Sequence, residues 1–236
     1  MSKLTHFKLL SFDVYGTLID WERGALTALQ PMLDKSKKTD LSPKHILQTL
    51  HAIEPPIEKA HPDWKYSEVL TAVHPQLCTD LGLQPPTAQE SETFGSSVGS
   101  WPLFPDTLNA LERLSKTYKL VVLSNVDNAS FSASKLASFP FAAVLTAQDI
   151  GSYKPDPRNF TYMLDYVEKK FGVTKEQVLQ TAQSQFHDHH PCKEVGIRSC
   201  WIYRPGAVMG NREDPVWDWR FDTLGDMADA VEREES

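Results

Sequence analysis

Cysteine is scarce: the 236-residue chain has three, Cys78, Cys192 and Cys200. An odd number without paired spacing excludes a disulfide-stapled scaffold and reads as free, buried thiols in a reducing compartment. A basic excess is also missing. Lys and Arg number 24 against 31 Asp and Glu, a net charge of -7, so the chain lacks the positive face that nucleic acid requires. No apolar run reaches the length of a membrane span. Met1 to Lys8 carries no long apolar h-region, so no signal peptide is expected. A soluble, cytoplasmic protein with neither nucleic-acid nor membrane partners is the default. Internal repeats and low-complexity segments are absent too. So is arginine over a long interior stretch, between Arg23 and Arg113.

What is present begins with Leu9-Leu10-Ser11-Phe12-Asp13-Val14-Tyr15-Gly16-Thr17-Leu18-Ile19. Its apolar start reads as a buried strand. It ends in an acid and a Gly-Thr turn, which places Asp13 at the carboxyl end of an early strand. In an open parallel sheet that edge is where ligands bind. Asp13 alone is equally well an ordinary turn residue.

From about Asp20 to Gly99 the pattern is helical, with no clear strand. Ala25 to Leu33 has helical spacing. Ser42 and Pro43 mark a helix start that runs through Leu50 and Ile53 and meets Pro55-Pro56. Further helices are expected over Tyr66 to Leu83 and near Ala88 to Val98. After Trp101 strands and helices alternate: helix at Pro105–Tyr118, strand at Leu120–Ser124, helix at Asn128–Phe139, strand at Ala143–Thr146 and helix at Pro157–Phe171. A strand over Gln177–Gln183, a helix at His190–Val195, a strand at Ser199–Tyr203 and a terminal helix at Asp222–Glu234 complete the series. This order predicts a doubly wound parallel sheet of the α/β class. With 41% hydrophobic residues the chain can fill one large core, or a core plus a smaller module. The expected division is an α/β core over 1–19 and 100–236 and an inserted helical module over 20–99, suited to closing over a site.

Three further segments carry chemistry: Val121-Val122-Leu123-Ser124-Asn125, Ser152-Tyr153-Lys154-Pro155 and Gln183-Ser184-Gln185-Phe186-His187-Asp188. A carboxylate can attack an electrophilic carbon or phosphorus and form an ester. Lys154 would favour the charged form of Asp13. The bland alternative is a solvated loop lysine. Ser124 and Asn125 at a strand end could hold an anion, or merely cap a turn. Thr17 is a turn residue or a hydroxyl beside the nucleophile. The amides of Tyr15 and Gly16 could help bind an anion. His187, His189 and His190 surround Asp188 and suggest metal at first sight. A helix N-terminus with solvated histidines is the preferred reading, so no metal ligand is assigned. Trp21, Trp64, Tyr66 and Trp101 are pocket aromatics or plain packing. The segment Val216-Trp217-Asp218-Trp219-Arg220-Phe221 reads as a loop packed on the core and is a candidate homodimer contact.

In order and spacing, Asp13, Ser124-Asn125, Lys154 and Asp188 resemble the four motifs of the haloacid dehalogenase superfamily. The resemblance covers nearly the whole chain and is weakest between about Leu41 and Gly99. It implies a Rossmann-like core with a helical cap, an aspartyl-ester intermediate and a small anionic substrate. The superfamily's phosphatases carry a second Asp two residues after the nucleophile and bind Mg²⁺ through fourth-motif acids. Here those positions hold Tyr15 and a lone Asp188. A phenol is a poor proton donor at neutral pH, whereas halide leaves without a proton. The sequence therefore looks like the metal-independent 2-haloacid dehalogenase branch, whose first motif reads Asp-x-Tyr-Gly-Thr, with no cofactor. A Mg²⁺-dependent phosphatase and a non-catalytic binding protein are the alternatives. By this resemblance Asp13 is the nucleophile, with Lys154, Asp188 and Thr17 as its catalytic partners. Val14, Tyr15, Ser124, Asn125 and His187 bind substrate. The bacterial dehalogenases place an arginine in the cap, and the chain has none there; Arg23, Lys44, His45 and Lys65 are stand-ins between which spacing does not choose. The family's lysine-loop tyrosine aligns with Phe160.

Overall fold

Six short apolar segments form one parallel sheet. The computed structural model describes residues 3–236. The strands are β1 (Leu9–Phe12), β2 (Lys119–Ser124), β3 (Ala143–Thr146), β4 (Val178–Ala182), β5 (Arg198–Ile202) and β6 (Trp219–Phe221). Their order across the sheet is β3-β2-β1-β4-β5-β6, and every pairing is parallel. Successive strands run outward from β1 in one direction and, after β4, in the other. The chain thus reverses between β1 and β4, and the crevice beyond their carboxyl ends is the place such sheets reserve for ligands.

Sheet register sorts the side chains by face. Leu9, Val121, Leu123, Leu145 and Val178 join a core cluster with Phe160, Met163, Val167 and Cys192. Those last four come from α8 (Pro157–Phe171) and α9 (His190–Val195), numbering the helices in chain order. On the opposite face Cys200 meets Met227 of α10 (Leu224–Glu235), sulfur to sulfur at 3.7 Å. Helices therefore cover both faces, as the alternation of elements predicts. Phe160 is fully buried in the core cluster, so it acts there as packing. All three cysteines are free and buried.

The chain divides into two compact units. The first holds the sheet and runs through Ile19, Leu103–Ser124 and Pro140–Ser236. The second comprises Asp20–Pro102 together with Asn125–Phe139. It contains α1 (Trp21–Ser36), α2 (Pro43–Ala60), α3 (Tyr66–Asp80), α4 (Ala88–Ser96) and α6 (Asn128–Ala133), and no strand among the described residues. Two details differ from the division expected of the sequence. The boundary falls at Pro102, and α6 belongs with the helical unit. Gly99 explains part of this: a Cβ there would stand 2.7 Å from that of Ala133, so the missing side chain lets the two backbones close.

Other local expectations also shift. α2 does not stop at Pro55-Pro56 but continues to Ala60, because both prolines face solvent, where water can satisfy the carbonyls their missing N–H groups leave behind. The helix from Asn128 ends at Ala133, six residues before the expected Phe139, where Ser134 turns extended. Val216–Phe221 is not wholly loop: its last three residues pair with β5 as the edge strand β6. The short helices α5 (Thr107–Leu114) and α7 (Ala147–Ile150) complete the sheet unit. Among the described residues no helix is long and apolar enough to cross a membrane.

Candidate active site

β1 delivers Asp13 to the crevice. The Asp13 amide extends the ladder beyond the strand, donating to the Thr181 carbonyl at 3.1 Å. The chain then folds into a tight turn in which the Val14 carbonyl accepts the N–H groups of Thr17, Leu18 and Ile19. Gly16 sits there at φ 92, a conformation that disfavours any side chain. This turn brings the Thr17 hydroxyl back onto the carboxylate, donating to Asp13 Oδ2 at 2.7 Å. The same hydroxyl accepts the Gln183 N–H at 2.9 Å, which ties the turn to the end of β4.

Lys154 reaches the crevice from the segment between α7 and α8. It is not the solvated lysine of the bland alternative, being only 2% exposed. Its ammonium donates to Asp13 Oδ1 at 2.9 Å, Asp188 Oδ1 at 2.8 Å and the Leu123 carbonyl at 3.0 Å. Three acceptors suffice for the three N–H donors of an ammonium. Burial acts to lower the lysine's pKa, but the two carboxylates outweigh it and push it up to about 12. Lys154 is a permanent cation.

Asp188 follows β4 in a π-helical turn, Gln185–His189, of a kind frequent at functional sites. It is fully buried. Its Oδ1 accepts from Lys154 and, at 2.9 Å, from Gln180 Nε2. Its Oδ2 has no hydrogen-bond partner among the described residues. Burial pushes the Asp188 carboxyl up to about 7, and the pull of Lys154 does not cancel this because Asp13 shares the same cation. Asp13 is the one member of the trio with appreciable exposure, at 7%. It is the group a small molecule can touch.

The structure thus unites all four expected catalytic residues, Asp13, Thr17, Lys154 and Asp188, in one hydrogen-bonded set. The expected binding residues are placed less uniformly. Ser124 ends β2 beside β1, is buried, and its hydroxyl has no partner among the described residues. Tyr15 is half-buried within the turn after Asp13, whereas the Val14 side chain is fully buried. His187 is half-buried and held by Ser184, whose hydroxyl accepts its N–H and meets its Nδ1 at 3.2 Å. Asn125 opens the segment that belongs to the helical unit. The histidine run is not uniformly solvated, since His189 is fully buried. Its Nε2 lies 2.9 Å from the Ala182 carbonyl and its Nδ1 2.9 Å from the Ser199 hydroxyl. A carbonyl only accepts, so Nε2 carries the proton, and burial keeps the ring neutral by lowering its pKa to about 4. Among the described residues no three His, Cys, Asp or Glu side chains group as metal ligands.

Two contributors were not legible in the sequence. Gln180 is a polar side chain inside an apolar strand, and that misfit is a usable signal. Arg204 donates through Nε and Nη2 to the Thr17 carbonyl at 3.1 and 2.7 Å. It comes from an ordinary Arg-Pro-Gly turn that gives no sign of this role.

A crevice at the β1/β4 reversal, with a buried lysine clamping two aspartates, agrees with what comparison with other proteins returns. The family model for haloacid dehalogenase-like hydrolases matches residues 7–179. The chain belongs to the haloacid dehalogenase-like hydrolase family. No curated protein matches it in sequence. Among solved structures, a defluorinating L-2-haloacid dehalogenase superposes with a TM-score of 0.79 at 17% identity, covering 98% of this chain and 99% of that one. The L-2-haloacid dehalogenase from Xanthobacter autotrophicus, solved with chloropropionic acid covalently bound, gives 0.75 at 19% identity, covering 96% and 98%. A putative hydrolase of the same superfamily from Bacillus subtilis, bound to magnesium, gives 0.73 at 17%, covering 96% and 99%. At these identities the likeness is one of fold.

Proposed function

We propose that the chain is a metal-independent hydrolase of the 2-haloacid dehalogenase type, acting on a small anionic 2-haloacid. The observation that carries this reading is Lys154, held at 2.9 Å from Asp13 and 2.8 Å from Asp188. The lysine sets a positive charge against Asp13 Oδ1 while leaving the carboxylate's exposed edge open. Asp13 attacks the carbon bearing halogen. The carbon–halogen bond breaks as the new carbon–oxygen bond forms, with inversion, and halide leaves with the electron pair. Water then adds to the carboxyl carbon of the Asp13 ester, the bond from that carbon to the substrate oxygen breaks, and that oxygen takes up the proton the water gave up, releasing a 2-hydroxy acid and the Asp13 carboxylate. Asp188, with its raised pKa and one unengaged oxygen, is suited to take the proton from that water. Ser124 and the Tyr15 amide hold the substrate carboxylate, and the side chains of His187 and Tyr15 line the rest of the pocket; the Gly16 amide is not available for this, since it donates to the Ile19 carbonyl at 2.8 Å.

Three points support this over a magnesium-dependent phosphatase. Both oxygens of Asp13 are already engaged, by Thr17 and by Lys154. Asp188 offers only Oδ2, on a carboxyl that burial holds partly protonated at neutral pH. Magnesium wants several hard oxygen ligands in near-octahedral array, and this donor set fits it poorly. Tyr15 also stands where a phosphatase needs a second acid, and a halide needs none. The covalently bound acid in the Xanthobacter structure supports an ester route for this fold. The test is chloride or bromide release from a panel of 2-haloacids in EDTA, run beside phosphate esters with magnesium. Halide release that survives EDTA is expected. Phosphate release that needs magnesium, with no halide release, would replace this reading with the phosphatase.

A further inference from the structure

The nucleophile turn is held from behind as well as from the crevice. Arg204 follows β5 and is 5% exposed. It adopts a left-handed backbone at φ 51, unusual for a residue with a long side chain. That conformation is fixed by its N–H, which donates to the Asp222 carbonyl at 2.9 Å. The guanidinium then sits on the Phe104 ring, 4.0 Å from its centroid. Two of its donors converge on the Thr17 carbonyl, and Nη1 donates to Asp106 Oδ1 at 2.6 Å. Asp106 in turn accepts the Gly225 N–H at the start of α10. The next residue, Thr107, donates its hydroxyl to the Leu18 carbonyl at 2.8 Å. Two successive carbonyls of the turn are therefore anchored to α5 and to the loop after β5.

We propose that Arg204 is a positioning residue for the nucleophile, acting through Thr17. The Thr17 peptide has one end held by the guanidinium and its hydroxyl held between Asp13 Oδ2 and the Gln183 N–H. A planar fork that places two donors on one oxygen fixes the carbonyl's direction, and an ammonium cannot reproduce that geometry. With the carbonyl fixed, the threonine side chain has one orientation, and Asp13 Oδ2 receives its hydrogen bond. Oδ1 is then fixed by Lys154, and the carboxylate plane is set for attack. Asp106 supplies the countercharge, so the brace adds no net charge beside the crevice. This inference rests on Asp13 being the nucleophile but not on which electrophile it attacks.

The test compares Arg204→Met and Arg204→Lys with the wild-type chain. The first readout needs no substrate: hydrogen exchange across the peptide spanning residues 13–19. Arg204→Met is expected to raise exchange there while leaving α8 at the wild-type rate. The second readout is steady-state turnover of whichever substrate class the panel above identifies. Arg204→Met is expected to lower kcat at least tenfold with KM within threefold, and added methylguanidine to recover part of the loss. Arg204→Lys is expected to fall between. Unchanged exchange at 13–19, exchange raised equally throughout, or a loss carried by KM alone would overturn the proposal. If no 2-haloacid is turned over, the dehalogenase reading fails, while the exchange result still decides the role of Arg204.

Discussion

Both units of the molecule bury acidic side chains, and they neutralise them differently. In the sheet unit, Asp13 and Asp188 share the single ammonium of Lys154. In the helical unit, Glu54 accepts the Tyr66 hydroxyl at 2.8 Å and has His51 at 3.9 Å, with Glu58 close enough to add like charge. Burial there pushes Glu54 up to about 8 and Glu58 to about 7. A proton does for these glutamates what Lys154 does for the aspartates. One cation shared by two carboxylates leaves one of them, Asp188, displaced upward as well. The lesson is one of division of labour. In the function proposed above, the acid that attacks has a cation beside it and the acid that exchanges a proton is raised toward neutrality, while Glu54, outside that site, is left protonated.

That contrast can be broken most severely at Asp13. Asp13→Asn keeps the shape and removes the proposed nucleophile, so turnover should fall about 10⁴-fold or more while the fold persists by circular dichroism. Full activity in this variant would leave the chain a binding protein, or an enzyme of different mechanism.

Removing the cation comes next. Lys154→Met strands two buried carboxylates, and breaking a buried pair in this way costs about 3–5 kcal/mol. It should abolish turnover as well. With the ammonium gone, nothing opposes the burial that raises the Asp188 carboxyl, so the folded state binds a proton that the unfolded state has released. Stability of the variant should then decline as pH rises, and urea midpoints at about pH 5 and about pH 8 will separate further than in the wild type. Equal midpoints would mean that the lysine is not what balances the pair.

Asp188 sharpens the comparison through its pH dependence. Its carboxyl is raised to about 7, so it loses its capacity to accept a proton as pH falls through that value. kcat should fall on the acid side of neutrality, well above the ordinary carboxylate range. Gln180→Leu removes a hydrogen bond to the charged form and should move that limb to higher pH. A limb that stays in place would detach Gln180 from Asp188.

The smallest effect lies in the helical unit. Glu54 ionises near 8 when folded against a reference of 4.5. Between those values the folded state holds the extra proton, so rising pH weakens the fold by at most ~1.4 kcal/mol per pH unit for this carboxyl. Glu54→Gln should flatten that slope and leave turnover at neutral pH unchanged. Thermal melts across the window would show it.

The sequence already displayed the parts of this arrangement that local chemistry dictates. Asp13, Lys154 and Asp188 stand in segments whose apolar strands and turns put them at one edge of a parallel sheet. Pro157 and Gly172 bracket α8 as helix-start and helix-stop residues do. What stayed hidden was set by contacts distant in the chain. Arg204 lies 187 positions from the carbonyl it holds. The passage of α2 through two prolines depended on which side faced water. β6 is three residues long and exists because β5 offers it an edge. His189 could not be told from its half-buried neighbours His187 and His190 until Ala182 and Ser199 closed around it.

Single turnover in heavy-oxygen water, with enzyme in excess over a 2-haloacid, tests the central claim most directly. An Asp13 ester opened by water at its carboxyl carbon puts the heavy oxygen into the peptide containing Asp13, and the hydroxy-acid product carries ordinary oxygen. Heavy oxygen in the product, with the Asp13 peptide unlabelled, would show that water attacks the substrate itself and that Asp13 is no nucleophile.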